Sequence, residues 1–168
     1  INATPSNSTH YLLTPTPFST SISYGKYLTL LNNEGYLKWY SDGERTTVLN
    51  FQYHANQNLF SYASRKNGTS RFIILDSSLN KIDSIQPING VLNDVHELII
   101  LDNGNYVVAG SKKRLFDLSS YTIEGSQGND STYAKGFVFQ EFDNNHNLIF
   151  EWNSNDHIHP SEYAGGYQ

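Results

Sequence analysis

The 168-residue chain contains no cysteine and no methionine. Without thiols it has no disulfide framework, no zinc–thiolate site and no cysteine nucleophile. Charge is scarce too: only 16% of residues are charged, and 16 acidic against 11 basic side chains leave a formal net charge of −5. Binding a phosphate backbone needs a basic face, so nucleic acid is not an expected partner. The one basic cluster, Lys112-Lys113-Arg114, reads as a solvated turn at a strand end. No apolar run approaches the ~20 residues of a membrane-spanning helix, so no membrane span is expected. A chain that opens on Ile1 is expected to be processed or excerpted. Sustained helical periodicity is missing as well.

What is present is aromatic and turn-rich. Twelve Tyr and nine Phe suit a protein that packs rings between strands. Residues 1–23 are rich in Ser, Thr and Pro, with Pro15 and Pro17 favouring an extended path, and read as a lead-in. Residues 24–168 read as short β-runs separated by turns, an all-β domain. A hairpin plan recurs in it: Tyr27 to Trp39 turns through Asn-Asn-Glu-Gly, Phe72 to Ile85 through Asp-Ser-Ser-Leu-Asn, and Phe137 to Trp152 through Asp-Asn-Asn-His-Asn. Further strands are expected at Asn58 to Ala63 and Glu97 to Gly110, the latter with a turn at Asp102-Asn103-Gly104-Asn105. That turn lacks the spaced carboxylates of a calcium loop. Small antiparallel sheets that each bury one face stack on one another, and radial repetition is the β-propeller solution. At roughly 40 to 50 residues per blade, the chain holds about three four-stranded antiparallel blades. Closed propellers need roughly four to eight, so the expectation is a partial propeller, completed by more of its parent chain or by self-association. Sequons at Asn2, Asn7, Asn67 and Asn129, all in loop-like surroundings, suggest glycosylation and hence secretion.

Two stretches carry a family likeness. Asp94 to Val108, DVHELIILDNGNYVV, is similar to the arylsulfotransferase signature, in which a His-acidic pair precedes a strand and an Asn-Gly-Asn turn. Gly136 to Glu162 is similar to the family's next segment, through Gln140, Glu141, Phe142, Asp143, Phe150, Glu151, Trp152, Asp156 and His157. Weaker likenesses lie at Phe72 to Leu79 and at Phe116-Asp117-Leu118-Ser119, so the resemblance covers roughly residues 24–162. It implies the first half of a six-bladed secreted or periplasmic propeller that moves sulfate between phenols through a sulfated histidine. No nucleotide donor or other cofactor is implied, and a small phenolic sulfate is the implied substrate. The nucleophile divides one hard transfer into two easier ones. Of the family's active-site histidines only His96 falls here, implied to bind sulfuryl oxygens or carry a proton; the reactive histidine is expected beyond Gln168.

Each candidate has a plainer reading. His96 would equally serve a loop by hydrogen bonding. His157 and His159 share one side of what reads as an extended segment, a spacing that suits a metal pair, yet no third ligand is evident, and no metal is expected. His157 instead ties backbone through Asp156 or lines a substrate funnel, and His54 is a further funnel candidate. His146 falls in a hairpin turn and reads as exposed. Trp39 and Trp152 close equivalent hairpins and read as core. A glycosidase needs two carboxylates at a set separation, which sequence alone does not place. The competing function is a non-catalytic extracellular module for binding or self-assembly.

Overall fold

The computed structural model describes residues 10–15, 26–123 and 125–162. The sequons at Asn2 and Asn7 lie outside these residues.

Three antiparallel sheets, with a small extra hairpin and three 3-10 turns, make up the described residues. The first sheet contains β1 (His10–Leu13), β2 (Leu28–Asn32) and β3 (Leu37–Ser41). Four residues of the Ser/Thr/Pro-rich lead-in therefore form its edge strand. The second sheet is a four-stranded meander of β4 (Thr47–His54), β5 (Leu59–Lys66), β6 (Thr69–Leu75) and β7 (Lys81–Ile85). In the third, β8 (Leu92–Ile100) and β9 (Tyr106–Phe116) are followed by a two-residue-strand hairpin, β10 (Thr122–Ile123) and β11 (Ser126–Gln127), before β12 (Thr132–Phe142) and β13 (Leu148–Asn153) complete the sheet. The expected all-β class and three sheet units are thus present. Among the described residues no sheet closes on itself.

The hairpin turns share one chemistry. Asn32, Asp76 and Asp143 each accept backbone N–H bonds two and four residues on, to Glu34 and Tyr36, Ser78 and Asn80, and Asn145 and Asn147. Such side chains stand in for a backbone turn. The fourth residue of each turn is left-handed: Gly35 at φ 86, Leu79 at 63 and His146 at 63. Glycine takes that conformation freely, whereas Leu79 and His146 hold it at a cost that the carboxylate-stapled turn offsets. Asn67-Gly68, with φ of 51 and 80 between paired Lys66 and Thr69, is the Asn-Gly turn favoured in two-residue hairpins.

The second sheet is covered on both faces, which its sequence reflects. In β6, Phe72-Ile73-Ile74-Leu75 is an unbroken apolar run, all buried. Alternation sends Phe72 and Ile74 into a cluster with Val95, Leu98, Ile100, Val108 and Phe142 of the third sheet. Ile73 and Leu75 instead join Leu28 of the first sheet, with Trp39 packed against them. Polar bonds bind the second sheet to the third: Asn50 donates to the His96 carbonyl at 2.5 Å, Gln52 to that of Leu98 at 2.9 Å and Gln57 to that of Leu101 at 3.0 Å. Tyr106 and His146 both reach the Asp83 carboxylate, at 2.8 and 3.0 Å. His146 is therefore a turn residue with a structural partner in the neighbouring sheet.

The far face of the third sheet has no covering layer among the described residues. Register places Phe139 beside Trp152 and Glu141 beside Phe150, with Phe137 two residues before Phe139 on the same side. Phe137, Phe139 and Phe150 are 42%, 40% and 54% exposed. Trp152, expected in the core, is a half-buried member of this outer face, at 6.2 Å from Phe139. Lys112, Lys113 and Arg114, expected in a turn, are interior residues of β9, because the β9–β12 hairpin runs well past β8.

Candidate functional site

The site begins with two irregular strands. In β4 the pairing steps from Leu49–Ala63 to Gln52–Ser61, so Asn50 and Phe51 face one partner residue, and Asn50 is left-handed at φ 51. In β8 it steps from Asn93–Gly110 to Leu98–Val108, which puts Asp94 to Glu97 opposite a single residue. Bulges of this kind re-aim side chains out of the regular alternation. The two bulges meet where Asn50 holds the His96 carbonyl.

His96 projects from the larger bulge with its side chain 87% exposed. Its backbone N–H donates to Asp94 Oδ1 at 3.0 Å, and its ring Nδ1 bonds the same oxygen. Burial by itself would raise the Asp94 pKa, but the side-chain and backbone bonds from His96 and the charges of His96 and Lys135 outweigh it and hold the carboxyl below its usual value. An ionised carboxylate only accepts, so Nδ1 carries the proton toward Asp94, and Nε2 is the free nitrogen. That nitrogen can take up a proton, deliver one, or face an oxyanion when protonated.

Beside it opens a cleft of about 820 Å³ between the second and third sheets. Its walls combine the β5–β6 hairpin, the β7–β8 link, the start of β8 and the overhanging β9–β12 hairpin, and its cationic residues are Arg65 and Lys135, with His96 at the rim. Neither Arg65 nor Lys135 has a salt-bridge partner among the described residues. Val91, Leu92 and Val95 supply apolar wall, and Ser70, Thr69 and Ser111 hydroxyls. Two cations outside any salt bridge, one of them close enough to Asp94 to lower its pKa, together with hydroxyls and an apolar wall, suit an oxyanion carried on an apolar body.

The other predicted residues lie elsewhere. His54 bonds Ser61 Oγ at 2.8 Å through Nε2, and burial lowers its pKa, so it is a neutral structural partner outside the cleft. His157 follows a 3-10 turn at Ser154–Asp156 and stacks on Trp152, centroids 5.3 Å apart and planes 5° apart. Asp156 pairs with Arg114 rather than tying back through His157. His159 lies against Phe116 and Tyr121, so the two histidines do not share a side of an extended segment. No group of three or more potential ligands capable of holding a metal occurs among the described residues. Asn67 is exposed in its hairpin turn, whose Gly68 and Thr69 line the cleft; Asn129 is exposed in the excursion between β9 and β12.

His96, singled out in the sequence, lies on this cleft; Arg65 and Lys135, which also line it, were not singled out. The features together define a class: an all-β protein of stacked antiparallel meanders with a cationic cleft at one sheet junction. No protein-family model matches the chain, and no curated protein or solved structure matches it.

Proposed function

We propose that this chain is the propeller-forming first part of a secreted arylsulfotransferase-like protein, and that its cleft receives the sulfuryl group of a phenolic sulfate. The observation that carries the reading is the Asp94–His96 pair, raised by a bulge beside Arg65 and Lys135. Two four-stranded meanders, whose first strands β4 and β8 lie against each other while β1 lies against β4, support blades around an axis. The aromatic outer face of the third sheet supports a further sheet packed on it in the whole protein.

In this reading Arg65 and Lys135 hold the sulfuryl oxygens. A histidine in sequence following Gln168 attacks sulfur, forming an N–S bond as the S–O bond to the phenol breaks. Protonated His96 gives its Nε2 proton to the departing phenolate, and recovers one from the second phenol as that oxygen takes the sulfuryl group. No cofactor takes part. Glycans sit on Asn67 and Asn129.

The test uses the complete natural protein with 4-nitrophenyl sulfate and phenol as acceptor. The expected result is release of 4-nitrophenol that depends on phenol, with kcat reduced on the order of 10²–10⁴-fold in His96→Gln, the usual share of a general acid–base group. No transfer by the folded wild type overturns the catalytic reading. The exposed Phe137–Phe139–Phe150 face favours one second reading, a non-catalytic assembly module, which predicts concentration-dependent association without transfer.

A further inference from the structure

We infer that a polysulfated glycan docks across the mouth of the cleft, held by the β5–β6 hairpin on one side and by the Lys113–Lys135 rung of the β9–β12 overhang on the other. The docking surface stands on the placement of charge; that one of the glycan's sulfate esters enters the cleft rests on the functional reading above.

The chain is acidic overall, at −5, yet its cations are gathered in one place. Strands β5 and β6 carry Arg65, Lys66 and Arg71 and no acidic residue. Strands β9 and β12 carry Lys112, Lys113, Arg114 and Lys135, against Glu141 alone at the far end of β12. Most of the 11 basic residues therefore lie on the two hairpins that wall the cleft. The rung of Lys113 and Lys135 is the informative one. Register sets the two directly opposite each other, past the Leu92–Ser111 end of β8 and the Asn153–Val138 end of β13, so no third strand flanks them. Alternation turns Lys112, Arg114 and Gly136 to the other side, where Arg114 pairs with Asp156 and a Cβ at Gly136 would meet the Asn155 side chain. Lys113 and Lys135 are both exposed, and neither forms a salt bridge among the described residues, although Lys135 helps to hold Asp94 ionised. Like charges set opposite each other destabilise a sheet, and water and salt screen that repulsion without reversing it. An anion bound across the rung reverses it.

The spread of the cations sets the size of the ligand. Arg65 and Lys135 line the cleft from the second and third sheets, while Lys66 and Arg71 continue the charge past Arg65, and Lys113 continues it past Lys135. A single monoester in the cleft reaches only the inner two, so the outer ones call for oxyanions repeated along a chain. Between the cations stand the hydroxyls of Thr69, Ser70 and Ser111, which match the hydroxyls of sugars. Single-stranded nucleic acid also repeats its oxyanions, but it binds where cations accompany ring faces on which successive bases stack. The rings that follow Lys135 along its face of the sheet turn edges to one another, Phe137 and Phe139 at 82° and Phe139 and Trp152 at 42°, and make no parallel set. A sulfated glycan needs no such platform.

The experiment measures binding of a labelled heparin oligosaccharide to the complete natural protein by fluorescence anisotropy, with 4-nitrophenyl sulfate titrated separately by calorimetry. The proteins are wild type, Lys66→Glu, Lys113→Glu and the controls Lys38→Glu and Lys81→Glu. Every variant changes the net charge by the same amount, and the control lysines lie in β3 and at the start of β7, away from the cleft. The expected result is heparin binding that declines as salt rises, weakened about tenfold or more in Lys66→Glu and Lys113→Glu and held within about twofold of wild type in the controls. Lys113→Glu turns a like-charge rung into an opposite pair, so its Tm is at or above that of wild type and its loss of binding is not a loss of fold. Because Lys113 does not line the cleft, that variant also binds 4-nitrophenyl sulfate as wild type does. Equal weakening in all four variants marks a diffuse attraction and overturns the inference, as does tighter binding of oligo(dT) than of heparin. No heparin binding by a wild type that binds 4-nitrophenyl sulfate overturns the inference and leaves the sulfuryl reading intact. Heparin binding without 4-nitrophenyl sulfate binding overturns the sulfuryl reading and keeps the docking surface, and binding of neither overturns both.

Discussion

Gly110→Ala probes the contact between the cleft wall and the strand beneath it. A Cβ at Gly110 would stand 2.5 Å from the Leu92 carbonyl oxygen and 2.5 Å from Val91 Cγ1, about 0.9 Å inside ordinary contact at 3.4 Å. The oxygen belongs to backbone in register with Ser111, so it cannot swing aside as a side-chain tip would. Overpacking of this kind costs about 1–3 kcal/mol. Alanine recovers roughly 0.5–1 kcal/mol of the entropy that glycine loses in a strand. Because that oxygen is backbone, the cost falls in the upper part of the range, about 2–3 kcal/mol, and the net loss is about 1–2.5 kcal/mol, or ~2–10 °C in Tm for a chain of this length. Val91 and Leu92 wall the cleft and Asn93 pairs with Gly110, so the same change weakens binding of 4-nitrophenyl sulfate. Gly35→Ala is the control: nothing lies within 4 Å of its Cβ and its φ is 86, so it carries backbone strain alone and leaves binding unchanged. Thermal unfolding and calorimetry on the three proteins give both readouts. A Gly110→Ala protein within about 0.5 kcal/mol of wild type, the range of a neutral surface change, would show that Leu92 gives way and would refute the reasoning.

The other predictions concern the junction between the second and third sheets. Tyr106→Phe removes one bond to Asp83 and costs about 1 kcal/mol, while Asp83→Ala removes a charged acceptor and orphans the buried Tyr106 hydroxyl, at about 1.5–3 kcal/mol. The double variant should cost less than the sum by about 0.5 kcal/mol or more in urea denaturation; strict additivity would mean that the bond carries no coupling. Acid should weaken the fold. Burial tends to raise the Asp83 pKa, yet bonds from His146, Tyr106 and the Ser84 N–H hold it low, and hydrogen bonds from Asn80, Ser119 and Asn147 lower Asp76, Asp117 and Asp143. A carboxyl lowered by folding contributes stability that is complete above its unfolded pKa of about 3.9 and disappears as pH falls through the folded value. Urea midpoints should therefore decline below about pH 4, less steeply in Asp83→Ala, and a midpoint that stays level to about pH 2 would contradict this.

The fold was legible where local chemistry decides it. The turns announced themselves through Asn32, Asp76 and Asp143, whose side chains make the same bonds in all three sheets. Strand β6 carried an equally local signal that the expectation of sheets burying one face each passed over: an apolar run with no polar alternation needs cover on both faces, and the second sheet has it. Reach across the sheets was less legible. Lys112 to Arg114 looked like a loop because three cations seldom sit mid-strand; here the long β9–β12 overhang leaves them at the margin, with Arg114 bonded to the Asn155 carbonyl at 2.7 Å and paired with Asp156. Trp152 looked like core because aromatics close the other hairpins, and only the placement of the sheets shows that its face is the outer one.

The site divides in the same way. His96 was recoverable because the acidic residue that fixes its ring lies two positions away, a local relation that the bulge preserves. Arg65 and Lys135 are 70 positions apart in the chain and lie on different sheets, so no spacing rule joins them; they meet because the second and third sheets pack face to face and leave the cleft at one end. One departure from the burial pattern is visible in the sequence at Asn93. Inward positions of β8 from Val95 to Ile100 are apolar, and an amide ahead of them, on the inner face and opposite a glycine, departs from the pattern that burial rewards. Departures of that sort collect where a fold serves something other than its own stability. In this chain the departure falls beside the bulge that raises His96, and Arg65 and Lys135 line the same cleft, which is why the cleft, rather than any of the separately placed histidines, carries the functional argument.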